Sequence, residues 1–156
     1  MTTYYARSFK ELRVYQKARE VSKEVFRVSK GFPKEETYSL TDQFRRAARS
    51  VGAQIAEAWG KRRYEKNFVS KLTDADAEQM ETQHWVGEAL DCGYVNPAQA
   101  AQLNSNLQEI GRMLNSMMEK SDSFCASFDA VVREDAAEYF VVGGDQESVI
   151  SNISNQ

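Results

Sequence analysis

The sequence predicts an all-α protein, an antiparallel up-down-up-down four-helix bundle with an extra C-terminal segment. Four segments of about 20 to 28 residues repeat apolar residues at the i, i+3, i+4, i+7 spacing of a buried helix face. Only two prolines and eight glycines occur in 156 residues, which favours long helices over a fold with many turns. The connections are only a few residues long, so consecutive helices must lie side by side and run antiparallel.

The first helix is predicted over residues 8–30. Ser8 is the expected N-cap, Gly31 the expected C-cap, and Pro33 prevents the helix from continuing. One stripe at helical spacing is the predicted buried face: Val14, Ala18, Val21, Val25, Val28 and Phe32. Lysines and arginines occupy most of the remaining positions of this helix.

The second helix is predicted to begin with Thr41 as its N-cap and to end near Gly60. Its apolar stripe is Phe44, Ala47, Ala48, Val51, Ile55, Ala58 and Trp59. Three arginines fall on the opposite side of this stripe: Arg45, Arg46 and Arg49. Asp42 precedes Arg46 by four residues, a spacing at which the two side chains can pair.

The third helix is predicted over residues 65–92 and the fourth over residues 97–120. Gly93 ends the third helix, and Asn96 followed by Pro97 is a strong start signal for the fourth. The predicted buried face of the third helix is Phe68, Leu72, Ala75, Thr82, Val86 and Leu90. The predicted buried face of the fourth helix is Ala100, Leu103, Leu107, Ile110, Leu114 and Met117.

Polar residues also fall on the inner arc of the third helix, where a plain bundle would place leucine. They are Gln79, Thr82 and Gln83. Buried amides and hydroxyls require hydrogen-bond partners, so these side chains are expected to bond across helices and fix the register.

The bundle is expected to comprise residues 1–120. Residues 121–142 are predicted to form a short accessory helix or extension, packed on the bundle or on a neighbouring chain. Residues 143–156 are rich in glycine, serine and asparagine and are predicted to be a disordered tail.

The sequence argues against an enzyme and against a metal site. His84 is the only histidine, which excludes a histidine-based catalytic triad and a site with several histidine ligands. Glu81 and His84 match a Glu-x-x-His motif once, whereas ferritin-like di-iron sites use two. No glycine-rich phosphate loop is present. We therefore expect no catalytic residues, no cofactor and no metal.

The protein is expected to be cytoplasmic. No apolar run approaches the roughly 20 residues of a membrane-spanning helix, and the first residues contain no apolar signal-peptide core. The two cysteines, Cys92 and Cys125, have no metal-ligand spacing, and a disulfide is not expected in that compartment.

The net charge of −3 conceals a division of charge along the chain. Residues 1–71 contain 17 Lys and Arg against 8 Asp and Glu, whereas residues 72–156 contain 3 against 15. The first part is thus suited to bind a polyanion, and the candidate phosphate contacts are Arg45, Arg46, Arg49, Lys61, Arg62, Arg63 and Lys66. Tyr64 lies among them and is expected to stack on a base.

Two other interpretations of the arginines stay open. The first is a solvent-exposed face balanced by Asp42, and the second is pairing with the acidic flank of the third helix, in the same chain or in a neighbour. We define that acidic flank as Asp74, Glu78, Glu81 and Glu88. Trp85 lies on the same flank, so Trp85, Glu78 and Glu81 are the predicted protein–protein interface.

Four segments together carry a resemblance to a known family: FKELRVYQKA, YSLTDQFRRAARSVGAQIAEAWGKRR, ETQHWVGEALDCGYV and EIGRMLNSMM. Over about residues 8–120 they resemble the 23S ribosomal RNA intervening-sequence proteins. The family segment Q-[LIF]-RRAA-x-S-[IV] falls on Gln43, Phe44, Arg45, Arg46, Ala47, Ala48, Ser50 and Val51. Where the family continues N-I-A-E-G, its Asn and Gly are Gln54 and Ala58 here.

The resemblance implies an antiparallel four-helix bundle that assembles as a homopentamer with a basic surface and without catalytic residues. Family members resemble the accessory variability protein of diversity-generating retroelements. The implied partners are therefore RNA or DNA and, for that branch, a reverse transcriptase. Residues and resemblance together predict a non-catalytic, nucleic-acid-binding oligomeric adaptor. The alternative is a ring-forming protein–protein scaffold with no nucleic-acid role.

Overall fold

Four long α-helices follow one another in the computed structural model, which describes residues 5–126. They are α1, Arg13–Ser29; α2, Leu40–Gly60; α3, Glu65–Asp91; and α4, Pro97–Glu119. Each helix packs against the next one along the chain, and α1 also packs against α4, which closes the bundle. The described residues contain no β-strand, and the predicted all-α four-helix bundle is confirmed.

The C-terminal divisions that the sequence predicts fall mostly outside the described residues. Of the predicted accessory segment 121–142, only residues 121–126 are described, and these are helical. The predicted tail 143–156 lies entirely outside, so both divisions stay predictions.

An apolar seam contributed by all four helices forms the core. On α1 the seam consists of valine and alanine, α2 and α3 mix small and large side chains, and α4 supplies the most large ones. The fully buried large residues of the seam include Phe44, Ile55, Phe68, Leu72, Leu103, Leu107, Ile110 and Leu114. Small residues facing large ones allow the helices to interdigitate at close packing. Within the described residues, no helix is both long and apolar enough to cross a membrane.

The first helix begins later than predicted. Ser8 does act as a cap, but its hydroxyl accepts a hydrogen bond from the Lys10 amide (3.3 Å) at the head of a separate 3₁₀ turn, Phe9–Glu11. Leu12 then adopts an extended conformation, and α1 starts at Arg13. The Leu12 side chain is buried, so this break places an additional apolar residue against the core.

The second helix begins one residue before the predicted N-cap. Thr41 lies inside α2, its side chain is buried, and its hydroxyl has no hydrogen-bond partner among the described residues. The Glu36 carboxylate takes the capping role instead, because it accepts the Leu40 amide at 3.2 Å. Tyr94 donates its hydroxyl to the other oxygen of the same carboxylate at 3.1 Å. This bond holds Glu36 in place and raises the pKa of Tyr94.

The predicted boundary between α3 and α4 is confirmed. Gly93 ends α3 with a positive φ of 74°, a conformation that glycine adopts without a steric cost. Asn96 then caps α4 by accepting the Gln99 amide at 2.8 Å, and the Gln99 side chain accepts the Asn96 amide at 2.9 Å. This reciprocal pair is a capping box, and it fixes where α4 starts.

The assignment of Leu90 to the buried face of α3 is wrong. Leu90 is 36% exposed, whereas its neighbour Ala89 is completely buried. An α-helix has 3.6 residues per turn, so a buried stripe must advance by three residues as well as by four. After Val86 the stripe advances by three, which selects Ala89.

The prediction that the polar residues on the inner arc of α3 bond across helices is wrong. Their hydrogen bonds lie within α3 itself. The Thr82 hydroxyl donates to a backbone carbonyl one turn earlier at 2.8 Å. Gln79 donates to Asp76 at 2.9 Å, and Gln83 donates to Gln79 at 2.6 Å. The contact with α4 is steric: a Cβ at Gly111 would lie 2.9 Å from the Gln79 amide nitrogen.

A matched pair of leucines on α3 tests the position of the seam. Leu72→Ala should lower the free energy of unfolding by about 2–5 kcal/mol, because Leu72 is completely buried. Leu90→Ala should lower it by about 1 kcal/mol or less, because much of that side chain is already in water. Urea denaturation of both variants measures the difference. Equal losses would mean that the rotation of α3 is incorrect.

Candidate nucleic-acid interface

Three cations lie close to one aromatic ring of α1, one from the end of α1 and two from α2. Phe26 is 38% exposed. The Lys30 ammonium lies 4.8 Å from the ring centroid, and the guanidinium carbons of Arg45 and Arg49 lie 4.7 and 5.7 Å from it. Cations within about 6 Å of an aromatic face are attracted by its quadrupole. Phe26 therefore holds two of the three predicted arginines against the preceding helix.

Arg45 has a structural role as well as a charge. Its Nε donates to the Ser29 hydroxyl at 2.7 Å, and that hydroxyl donates in turn to the Phe26 carbonyl at 3.1 Å. Ser29 is buried at the end of α1, and Arg45 is half-buried. Arg45 thus ties α2 to the end of α1, while Phe26 supports its guanidinium.

Arg46 and Arg49 are exposed on α2. Arg46 lies 3.9 Å from Asp42, a loose pair between two exposed side chains. Such surface pairs contribute about 0–1 kcal/mol. Within residues 5–126, Arg49 forms no ion pair, and no acid of α3 pairs with Arg45, Arg46 or Arg49. The described residues thus favour solvent over the chain's own acidic flank as the environment of Arg46 and Arg49.

Two other cations of residues 1–71 form ion pairs that join one helix to another. Lys17 of α1 pairs with Glu109 of α4. Lys71 of α3 pairs with Glu57 of α2 at 2.9 Å and with Asp74 at 3.4 Å. These bonds raise the pKa of Lys71 and lower the pKa of Glu109. The excess of positive charge is therefore concentrated elsewhere on α1, on α2 and in the loop after α2.

Three exposed cations lie where α2 is joined to α3: Lys61 and Arg63 in the connection, and Lys66 in the first turn of α3. Tyr64 lies between them and is 62% exposed. A shallow depression of about 450 Å³ is lined by Gly60, Lys61, Arg63, Tyr64 and Asn67. An exposed aromatic ring surrounded by cations suits a base stacked beside bound phosphates.

The prediction that Arg62 is a surface phosphate contact like its neighbours is wrong, because its side chain is buried. It is 9% exposed, and its guanidinium carbon lies 3.4 Å from the centroid of the Trp59 ring. Its Nε also donates to the Trp59 carbonyl at 2.8 Å. The chain turns after Gly60 and folds the side chain back over Trp59, and burial lowers the pKa of Arg62. We call the remaining six cations the basic face: Arg45, Arg46, Arg49, Lys61, Arg63 and Lys66.

The acidic flank lies on α3. The Trp85 ring is half-buried against the core, and its indole nitrogen donates to Glu81 at 3.1 Å. Glu78 is half-buried, and this burial, with smaller contributions from Glu81 and Asp74, raises its pKa. Met80 is 57% exposed on the same helix. Among residues 5–126, no group of three or more His, Cys, Asp and Glu is arranged to hold a metal ion.

Sequence reasoning missed the aromatic residues of α1. Phe26 stands off the valine stripe between Lys23 and Lys30, and an aromatic residue on a basic face was the available signal. Tyr15 likewise accepts a hydrogen bond from Arg19 at 3.2 Å and packs over Gly52, where an added Cβ would lie 3.7 Å from its ring.

Comparison with known proteins identifies a family and similar solved structures. A family model described as 23S rRNA-intervening sequence protein matches residues 10–116. The crystal structure, at 1.70 Å, of a protein with unknown function from the S23 ribosomal protein family of Bacteroides thetaiotaomicron is similar with a TM-score of 0.61. The two chains are 26% identical, and the match covers 67% of this chain and 97% of that one. No curated protein matches this chain.

The half-buried carboxyl of the acidic flank predicts a pH-dependent stability. A raised pKa means that the charged form of Glu78 is less stable in the folded chain than in the unfolded one. Glu78→Gln should therefore raise the free energy of unfolding at pH 7, by less than about 1 kcal/mol. The gain should decrease as the pH falls through the raised pKa of Glu78. It should disappear below the ordinary value of 4.5, where the Glu78 carboxyl is protonated in the folded and in the unfolded chain.

Urea denaturation of both proteins at pH values from about 4 to about 8, in steps of about one pH unit, measures this gain in the free energy of unfolding. Glu88→Gln is the matched control, since Glu88 is exposed on the same helix and should give no comparable gain. A loss of stability at pH 7 in Glu78→Gln, or a gain that does not change with pH, would contradict the account.

Proposed function

The chain belongs to the 23S rRNA-intervening sequence protein family, and we propose that it acts as a non-catalytic nucleic-acid-binding adaptor. The basic face would contact the phosphates of RNA or DNA. One observation carries the proposal: the basic face is exposed or half-exposed, and its only ion pair among the described residues is the loose one between Arg46 and Asp42. A cluster of cations with so few acidic partners is suited to recruit an external polyanion.

The aromatic platform of α1 supports this function. Arginine binds phosphate oxygens in a planar, bidentate fork. Phe26 fixes the guanidinium groups of Arg45 and Arg49 in place before any ligand arrives. A side chain that is already ordered loses less conformational entropy on binding, which favours the bound state.

The proposed binding reads the backbone and not the sequence of the nucleic acid. The cations of the basic face are suited to phosphates, and Tyr64 offers a stacking surface to any base. Binding of this kind releases counterions and weakens steeply as the salt concentration rises. Self-association into the homopentamer that the resemblance implied would multiply such weak contacts through effective concentration. The implied reverse transcriptase would then be recruited through the same nucleic acid.

A second candidate function is a protein–protein scaffold, and the surface of α3 favours it. The half-buried Trp85 lies on the same side of α3 as the carboxylates Glu78 and Glu81, and its indole nitrogen donates to Glu81 at 3.1 Å. An aromatic residue and acids in one patch suit a contact with the basic face of a second copy. In this function the basic face would be covered on assembly.

Two arginines test the adaptor. Arg46→Ala with Arg49→Ala should weaken the binding of a single-stranded oligonucleotide several-fold in low salt. The slope of log K against log salt concentration should also fall by about 1.4, roughly 0.7 for each lost phosphate contact. Fluorescence anisotropy over a salt titration measures both quantities. Arg45 is left unchanged, because its bond to Ser29 supports the fold.

Arg112→Ala is the matched control for this experiment. Arg112 is also an exposed arginine on a helix, but it lies on α4, away from the basic face. Its replacement should leave both the affinity and the slope unchanged. No binding by the unaltered protein in low salt, or equal effects of both replacements, would end the proposal.

An acid of the predicted interface tests the scaffold. Glu81→Lys should reduce the mass of any oligomer at micromolar concentration, because it places a positive charge against the basic face of the second copy. Glu119→Lys is the control, since Glu119 is exposed on α4 and should not change the mass. Light scattering gives the masses. A monomer under all conditions, or an oligomer whose mass is unchanged by Glu81→Lys, would remove this candidate.

A further inference from the structure

A groove between α1 and α2 shares only one residue, Arg49, with the proposed phosphate contacts. Its volume is about 350 Å³, and its lining includes Phe9, Tyr15, Ala18, Ala48, Gly52, Ala53 and Ala56. Arg19 and Arg49 stand among these residues as its charged members. An apolar floor with arginines at its edge suits a ligand that is both apolar and acidic, and a phosphate backbone alone has no apolar part to fill it.

The chain leaves the described part of the structure at the end of the bundle where this groove opens. Because the helices alternate in direction, the start of α1, the end of α2, the start of α3 and the end of α4 lie at one end. Ser121 donates to Glu65 at 2.6 Å, and the Phe124 ring lies 5.7 Å from the Phe68 ring. Residues 121–126 are therefore held beside the first turn of α3.

Residues 127–156 have the chemistry that the groove requires. They contain six acidic residues and a single basic one, Arg133. Three acids are clustered: Glu134, Asp135 and Glu138. Valine and aromatic residues flank this cluster on both sides: Phe128, Val131, Val132, Tyr139, Phe140, Val141 and Val142. The segment also lies beyond the family match at residues 10–116.

We propose that the acidic, aromatic segment 128–142 docks in the groove between α1 and α2 of its own chain, with its carboxylates on Arg19 and Arg49. Length is no obstacle for the carboxylates, because the eight residues from Ala126 to Glu134 span up to about 26–29 Å when extended, and the groove opens at the same end of the bundle. Two other surfaces lie within reach. The acidic flank of α3 would repel the segment, and the depression beside Tyr64 is lined by Gly60, Lys61, Arg63 and Asn67 and lacks an apolar floor. Charge and apolar lining together select the groove.

Cysteine cross-linking in the full chain tests the docking. Cys92 and Cys125 are replaced by serine, and Ala136→Cys is combined with Ala53→Cys, which lies at an exposed position of the groove lining. The matched control combines Ala136→Cys with Ser70→Cys, an exposed position on α3 within about two turns of the same end of the bundle. Treatment with a short bismaleimide is followed by intact-mass measurement.

The groove pair should cross-link within one chain at least about fivefold faster than the control pair, since docking raises the effective concentration. Adding Arg19→Glu and Arg49→Glu should reduce the rate to that of the control, whereas Arg112→Glu should not. Equal rates for the two pairs would overturn the proposal. A product that joins two chains would also overturn it, because the occupant of the groove would then come from a second copy.

A second readout rests on the proposed function as well, because the docked segment would shield Arg49. Neutralising the segment by Glu134→Gln, Asp135→Asn and Glu138→Gln should raise the affinity for a single-stranded oligonucleotide several-fold. Fast groove cross-linking without oligonucleotide binding by any variant would retain the docking and end the adaptor proposal. Oligonucleotide binding with equal cross-linking rates would do the reverse.

Discussion

The burial of one apolar seam fixes the rotation of each helix, and the rest of the molecule depends on it. Once Val25, Ile55, Leu72 and Leu107 face the interior, the rotation of each helix fixes which of its other side chains point to solvent. The cations of α1 and α2 must then lie outside, and the acids of α3 must lie on another side. The separation of charge along the sequence thereby becomes a separation of charge over the surface. A helix rotated by one residue would place arginines in the core, at a cost of several kcal/mol for each unpaired charge.

The sequence predicted what depends on local periodicity and failed where two elements meet. Local signals predict the end of α2 at Gly60, the end of α3 before Gly93 and the start of α4 after the N-cap Asn96. The structure has all three boundaries. The capping of α2 by Glu36 could not be read locally, because it requires the loop to fold back. The burial of Arg62 depends on a turn that lays it on Trp59.

The same distinction applies to the candidate site. The side of α2 that carries its arginines followed from the 100° rotation per residue. Arg45 bonds to Ser29 and stacks on Phe26 only when α1 and α2 pack in the right register. The sequence pattern of either helix alone does not predict that register. The packing of one helix on the other thus converts part of a charged stripe into an ordered surface. The adaptor and the scaffold both use this surface, and they differ in whether a nucleic acid or a second copy of the chain covers it.

The central claim is that Arg46 and Arg63 stay open to solvent in the assembled protein and close on a nucleic acid. Modification of the native protein with phenylglyoxal, located by mass spectrometry, tests it directly. We expect Arg46 and Arg63 to react in the free protein and to be protected by a bound oligonucleotide, while Arg112 reacts equally in both states. If Arg46 and Arg63 are unreactive in the free protein and react only after unfolding, the surface is already covered and the claim is wrong.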